Sequence, residues 1–241
     1  MYQKHLLLAA AALLPAVSCS LILEDRIQCS FQVPVTVRVD DFAITMDEFP
    51  SKSARDAADC SDVKSLTLAF YSGGAEAYKA TQTRGALPEG ESFGEFSLSL
   101  PMGAYTMVVI GHGLKDDEQA VTLTGPTSAS FGDCPARETF ACTQSVNIPD
   151  AEAVNLSATL SRIVAKLQVA SSDVRTPGAC SVRMTFASGG KSFSPSSGLA
   201  TVDTGFSNTV DISTAAGVES LSNSYLFLNT DEQTMDVTLE T

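Results

Sequence analysis

Cys19 is the residue of this 241-residue chain whose surroundings point most directly to chemistry. Lys4 and His5 open the chain, the apolar run Leu6–Val17 follows, and the small residue Ser18 stands immediately before Cys19. A positive start, an apolar stretch of about 7–15 residues and a small residue at the cut define a secretory leader. Ala16-Val17-Ser18-Cys19 has the pattern of the bacterial lipobox, with Ala where Leu is commoner. In that motif the Cys sulfur accepts diacylglycerol, and cleavage frees an amine for a further acyl chain. The spacing therefore predicts a leader over 1–18 and a lipid on Cys19. The apolar run is shorter than the roughly 20 residues needed to cross a bilayer core of about 30 Å. One acyl chain binds membranes only marginally, whereas a Cys carrying two or three holds stably.

Five other cysteines remain after the leader: Cys29, Cys60, Cys134, Cys142 and Cys180. Their spacings match no zinc pattern, and His112 is the one histidine left to assist. In an oxidising envelope disulfides are the expected use. Cys134 with Cys142 would staple a short loop, worth roughly 2.5 kcal/mol by the chain-entropy relation. Cys29 with Cys60 is the other expected pair. The odd count leaves at least one thiol over, and buried free thiols are the competing reading.

Catalytic candidates are few. His112 lies between Gly111 and Gly113, with no Ser or Cys elbow nearby to use it as a base. Asp116-Asp117-Glu118 lacks the spaced ligands and glycine of a calcium loop, and reads as a solvated acidic loop. Asn155-Leu156-Ser157 fits a glycosylation sequon but falls inside a strand pattern, where it reads as chance. The expectation is no enzyme: no catalytic or metal residues, no cofactor and no small-molecule substrate. Removing Lys4 with the leader leaves 14 basic residues against 28 acidic ones. Phosphate binding needs clustered Lys and Arg, so nucleic acid is an unsuitable partner. Adhesion to anionic headgroups is disfavoured for the same reason, which leaves the lipid as the membrane link.

The elements that would carry these residues read as strands. The chain is 44% hydrophobic, enough for a packed core. Phe31, Val33, Val35, Val37 and Val39 alternate over Phe31–Asp40, the pattern of a half-buried strand. Pro34 cannot donate to a ladder and should lie at an edge or a bulge. Ser51–Asp59 reads as a short helix or a loop. Leu66–Tyr71 alternates into the turn Ser72-Gly73-Gly74, and Phe96, Leu98 and Leu100 alternate into Pro101-Met102-Gly103. Further strands are expected at Thr106–Ile110, around Val121 and Leu123, and around Phe140 and Cys142. After the loop Ile148–Glu152 the same pattern resumes at Val154–Leu160, Arg162–Val169 and Val182–Phe186. Ser188–Gly198 reads as a Gly/Ser-rich loop. Val210 with Ile212, Tyr225–Leu228, and Met235, Val237 and Leu239 complete the series. Short strands without helical periodicity predict an all-β fold of sandwiches. The expected division is a lipidated tether over 19–28, one domain over 29–150 and a second over 151–241.

With these segments placed, the sequence resembles the fimbrial lipoproteins of the Bacteroidales type V pilus system, nearest the FimB-type anchor or minor subunits. The similar pieces are Ser18–Cys29 before the Val-rich strand, Leu66–Tyr71 before its glycine turn, Leu100–Tyr105, and Leu160–Leu167. The resemblance implies two tandem transthyretin-like Greek-key sandwiches, exposure on the outer membrane, and a role in anchoring or regulating a fimbria. Glu24 and Asp25 are similar to the acidic residues that favour export to the outer face. Partners would be the membrane, through the lipid, and other fimbrial subunits, joined when an extended strand of one completes the sheet of another. The alternative is a glycan-binding surface lipoprotein unrelated to fimbriae, although the chain has no Trp to build a sugar platform. Met235–Thr241 stops in mid-alternation, and 151–241 is short for a complete sandwich. The expectation is a truncated chain, or a second sandwich lacking a strand.

Overall fold

Alternating valines build the first strand, β1 (Gln32–Ala43), whose Val33, Val35, Val37 and Val39 are buried. The computed structural model describes residues 31–43, 62–114, 119–133, 135–170, 181–211, 220–230 and 237–240. Fourteen further strands follow among them, and no helix. They are β2 (Ser65–Ser72), β3 (Ala75–Thr83), β4 (Glu95–Pro101), β5 (Gly103–His112), β6 (Thr122–Gly125), β7 (Ser128–Ser130) and β8 (Thr139–Ile148). Then come β9 (Val154–Arg162), β10 (Ala165–Ala170), β11 (Ser181–Phe186), β12 (Ser192–Phe193), β13 (Phe206–Asp211), β14 (Ser220–Leu226) and β15 (Val237–Glu240). The all-β expectation holds. Ser51–Asp59 lies outside the described residues.

Seven strands form one sheet in the order β3-β2-β5-β8-β9-β1-β4. Between β8 and β9 the ladder holds only at Phe140↔Arg162 and Ala141↔Ser161, so the sheet turns a corner there. Beyond that corner its two halves face each other. Val33, Val35 and Val37 of β1 and Phe96, Leu98 and Leu100 of β4 share one buried core with Leu66, Leu68 and Phe70 of β2 and Met107 and Val109 of β5. Gly111 shows how close the halves come: a Cβ there would meet Leu66, Phe42 and Leu160 at 3.0, 3.1 and 3.2 Å.

β1 pairs antiparallel with β4 and parallel with β9. Pro34 faces Ser99 of β4, and the β9 ladder begins one residue later, at Val35↔Val154. The strand therefore has a neighbour on only one side at the residue that lacks an N–H. A register shift between Val39 and Asp41 marks an irregularity farther along. β9 lies beyond the Pro149 turn, yet β1 and β8 hold it in the first sheet.

The outer face of β2, β5 and β8 is covered as well. Ala69, Tyr71, Val108, Ile110 and Ala141 pack with Val121, Leu123, Ala129, Phe131, Phe193 and Phe227. The small sheet β12-β7-β6 supplies part of this cover. Phe193 and Phe227 stack with centroids 4.1 Å apart, with Phe131 beside them. β2, expected to be half-buried, is therefore buried on both faces. The remaining strands pair as β10-β14 and as β13-β11-β15. Val182, Met184, Phe186 and Leu226 form a third, small core there, flanked by Ala165, Leu167, Phe206 and Leu228.

Candidate functional site

His112 ends β5 fully buried, with both ring nitrogens engaged by the backbone. The Val121 N–H donates to Nε2 at 3.1 Å, so Nδ1 carries the proton and donates to the Gly113 carbonyl at 2.6 Å. Its ring meets Phe131 edge-to-face at 5.2 Å. This is an imidazole used to fix the β5 end against its covering layer, where neither nitrogen is presented to a substrate. The acidic run Asp116–Glu118 lies outside the described residues. Asn155 is exposed in β9, where its backbone pairs with Thr36.

Cys19, Cys29, Cys60, Cys134 and Cys180 also lie outside the described residues, so the lipidation site and both expected disulfide pairs rest on the sequence. Cys142 is described: it sits half-buried on β8, packed against the inner core of the sandwich. Burial pushes its thiol above the ordinary pKa range. Phe131 and Ala136, on either side of Cys134 in sequence, pack on the opposite face of the sheet.

Unpaired strand edges are the surfaces to which another chain could be joined, because a row of free N–H and C=O groups is a template for pairing. In the first sandwich the end strands of the sheet are β3 and β4. The corner at β8–β9 brings them to either side of a groove of about 310 Å³ lined by Tyr78, Gln82, Glu91, Ser92, Glu95 and Phe96. Gln82 spans it. Its Nε2 donates to the Glu95 carbonyl at 2.7 Å and its Oε1 accepts from the Gly94 N–H at 2.9 Å. One side chain thus supplies what a missing ladder would otherwise provide at that point. The Tyr78 hydroxyl has a raised pKa, first from burial and then from the charge of Glu91.

The strands of the second region offer further edges. Among the described residues, β10 and β14 pair only with each other, and β13 and β15 each pair only with β11. Its interior is not wholly apolar. Asn208 donates to the buried Ser224 hydroxyl at 2.8 Å, and that hydroxyl contacts the Met184 sulfur at 3.6 Å. The sequence located most of these strands but not the Gln82 bridge, whose partners lie ten to thirteen residues away across the groove.

Comparison with known proteins fits this architecture. The sequence model of the fimbrillin-A associated anchor proteins Mfa1 and Mfa2 matches residues 26–204, well over half of the chain. No functionally curated protein matches the sequence. A Bacteroides ovatus crystal structure classed as a candidate adhesin superposes with a TM-score of 0.55 at 12% identity, covering 86% of this chain and 73% of that one. A Bacteroides thetaiotaomicron structure classed as a candidate polysaccharide binder gives 0.53 at 13% identity, covering 86% of this chain and 75% of the other. At such identities the two structures speak for the fold alone.

Proposed function

The chain belongs to the family of fimbrillin-A associated anchor proteins, and from that premise we propose that it is an outer-membrane lipoprotein that anchors a fimbria or regulates its assembly at the cell surface. The observation that carries this reading is the order of its parts. A leader and lipobox end at Cys19, and the family match starts at residue 26, a few residues later. Lipid on Cys19 holds the body to the membrane, and other subunits join by adding a strand to an open sheet edge. Main-chain hydrogen bonds give such a contact affinity, and the alternate side chains give it register. On this reading the chain forms two transthyretin-like domains divided near residue 150, with β9 as the strand that crosses the division. The edges of β3 and β4 in the first domain and of β10, β14, β13 and β15 in the second are the places a strand can dock.

Replacing Cys19 by Ala is expected to move the protein from the membrane to a soluble fraction and to release fimbriae from the cell. An unchanged detergent partition would remove the anchor. Fimbrial subunits are expected to co-purify with the wild-type protein; glycan-array binding without them would favour a sugar-binding lipoprotein instead.

A further inference from the structure

Three large apolar side chains are exposed among the described residues: Phe31 at 60%, Met102 at 49% and Val202 at 49%. Phe31 and Met102 share one end of one ladder. The β1–β4 register closes at Gln32↔Pro101, and Phe31 and Met102 are the residues just beyond the paired ends, Met102 at the bend into β5. In sequence Phe31 extends the alternation of Val33, Val35, Val37 and Val39, and Met102 extends that of Phe96, Leu98 and Leu100. Both buried series are thus followed, one step past the ladder, by an apolar side chain in the open.

The interior does not need these two side chains as a seal. Tyr105 closes the core behind them, its hydroxyl donating to the Pro101 carbonyl at 2.9 Å and its ring meeting Phe70 edge-to-face at 6.1 Å. The same end carries the β8–β9 turn, as the registers Gly103↔Ile148 and Val35↔Val154 require. It is also where the chain arrives from Cys19. Eleven residues separate Cys19 from Phe31, a reach of at most about 40 Å at ~3.3–3.6 Å per residue. The lipid can lie no farther than that from the exposed pair.

We propose that Phe31 and Met102 dip into the lipid surface that holds Cys19, so that this end of the sandwich docks on the bilayer. The proposal rests on lipidation of Cys19. An aromatic ring and a thioether suit the boundary between headgroups and acyl chains, where interfacial apolar groups sit roughly 5–10 Å deep. The surface that suits them is one without net negative charge, because Asp150 and Glu152 of the adjoining turn would repel anionic headgroups. The lipid is a marginal anchor one chain at a time, and a second apolar contact beside it restricts the tumbling that a tether alone permits.

The chain contains no tryptophan, so a single one reports its own surroundings. Phe31→Trp, Met102→Trp and Val202→Trp, each purified as full-length lipidated protein, would be placed on phosphatidylcholine vesicles with brominated acyl chains. Flotation measures attachment, and emission measures depth. The expected result is that all three float with unchanged melting temperatures, that the tryptophans at 31 and 102 shift to the blue and lose emission to bromine, and that the one at 202 does neither. Flotation without quenching at 31 and 102 would overturn the docking while leaving the anchor intact. Equal quenching at all three positions would also overturn it. A blue shift that appears only when another fimbrial subunit is added would assign the patch to a protein partner. Failure of every variant, and of the wild type, to float would remove the anchor and this proposal together.

Discussion

Among the described residues, the first sandwich and the second region are made from the same kind of strand but bury cores of different size. In the first, nineteen side chains are buried in one cluster, eighteen of them on strands of 7 to 12 residues, and a further layer seals the outer face of β2, β5 and β8. In the second, strands of 4 to 7 residues bury four among the described residues, and a hydroxyl, an amide and a thioether meet there. Fully burying a large apolar side chain contributes about 1.5–3 kcal/mol, so the buried cluster is the chief source of stability in the first sandwich. A strand added to the first gains mainly ladder hydrogen bonds at the β3 or β4 edge. Added to the second, it also gains cover for a core that is small among the described residues.

The largest effect expected to test this contrast is at Phe70, fully buried in the first core. Phe70→Ala should cost about 3–5 kcal/mol in denaturant unfolding. The matched change in the second region, Phe186→Ala, removes a ring stacked on Phe206 at 4.7 Å. It should strip hydrogen-exchange protection from β10, β11, β13, β14 and β15 while leaving the amides of β1, β2 and β5 protected, because weakly held regions open on their own. Loss of protection throughout would show that the two regions unfold as one and would end the comparison. Next is Gly111→Ala. The added methyl meets three core side chains at 3.0 to 3.2 Å, so overpacking should cost roughly 1–3 kcal/mol. Asn208→Ala should cost about 1 kcal/mol, since it deletes one hydrogen bond to the buried Ser224 hydroxyl.

The smallest effect is a pH dependence. Burial raises the Cys142 thiol above its ordinary value, so the folded chain holds that proton more tightly than the unfolded one. Its contribution to stability is complete below the unfolded thiol's pKa and fades as pH rises through the folded value. Alkylation of native protein at Cys142 should accordingly become fast only at a higher pH than for a free cysteine. Resistance to alkylation in unreduced, denatured protein would instead mark the residue as disulfide-bonded.

The alternation was readable wherever a strand has one wet face. β4 buries Phe96, Leu98 and Leu100 and exposes Ser97 and Ser99 between them, and β9 behaves likewise at Ala158 and Leu160. β2 looked the same in sequence, yet its second face is buried under a layer contributed by residues fifty and more positions away. No local pattern carries that information. β3 was missed because an edge strand needs few apolar residues, and Ala75–Thr83 is mostly exposed. β12 was hidden in a Gly/Ser-rich stretch that looked like pure loop; the signal there was Phe193, a large aromatic that is fully buried. Strand β9 was legible but its place was not, since nothing local says that residues after the Pro149 turn pair back with β1. Of the groove between the end strands, the edge strand β4 was legible and the Gln82 bridge was not. The expected leader and the lipid on Cys19 are linear signals, and they rest on the sequence alone.

The placement of β1 has a mechanical consequence. The strand runs from Phe31 inward, bonded antiparallel to β4 from Gln32 to Arg38 and parallel to β9 from Val35 to Ala43. A pull entering at Phe31 is directed along these ladders, so the bonds on both sides bear the load in shear and must fail nearly together. A pull across an edge strand such as β3 instead opens its bonds one after another. Traction applied through the residues before Phe31 therefore loads these ladders in shear, and the rupture force measured from that end should exceed the force needed to peel β3 away.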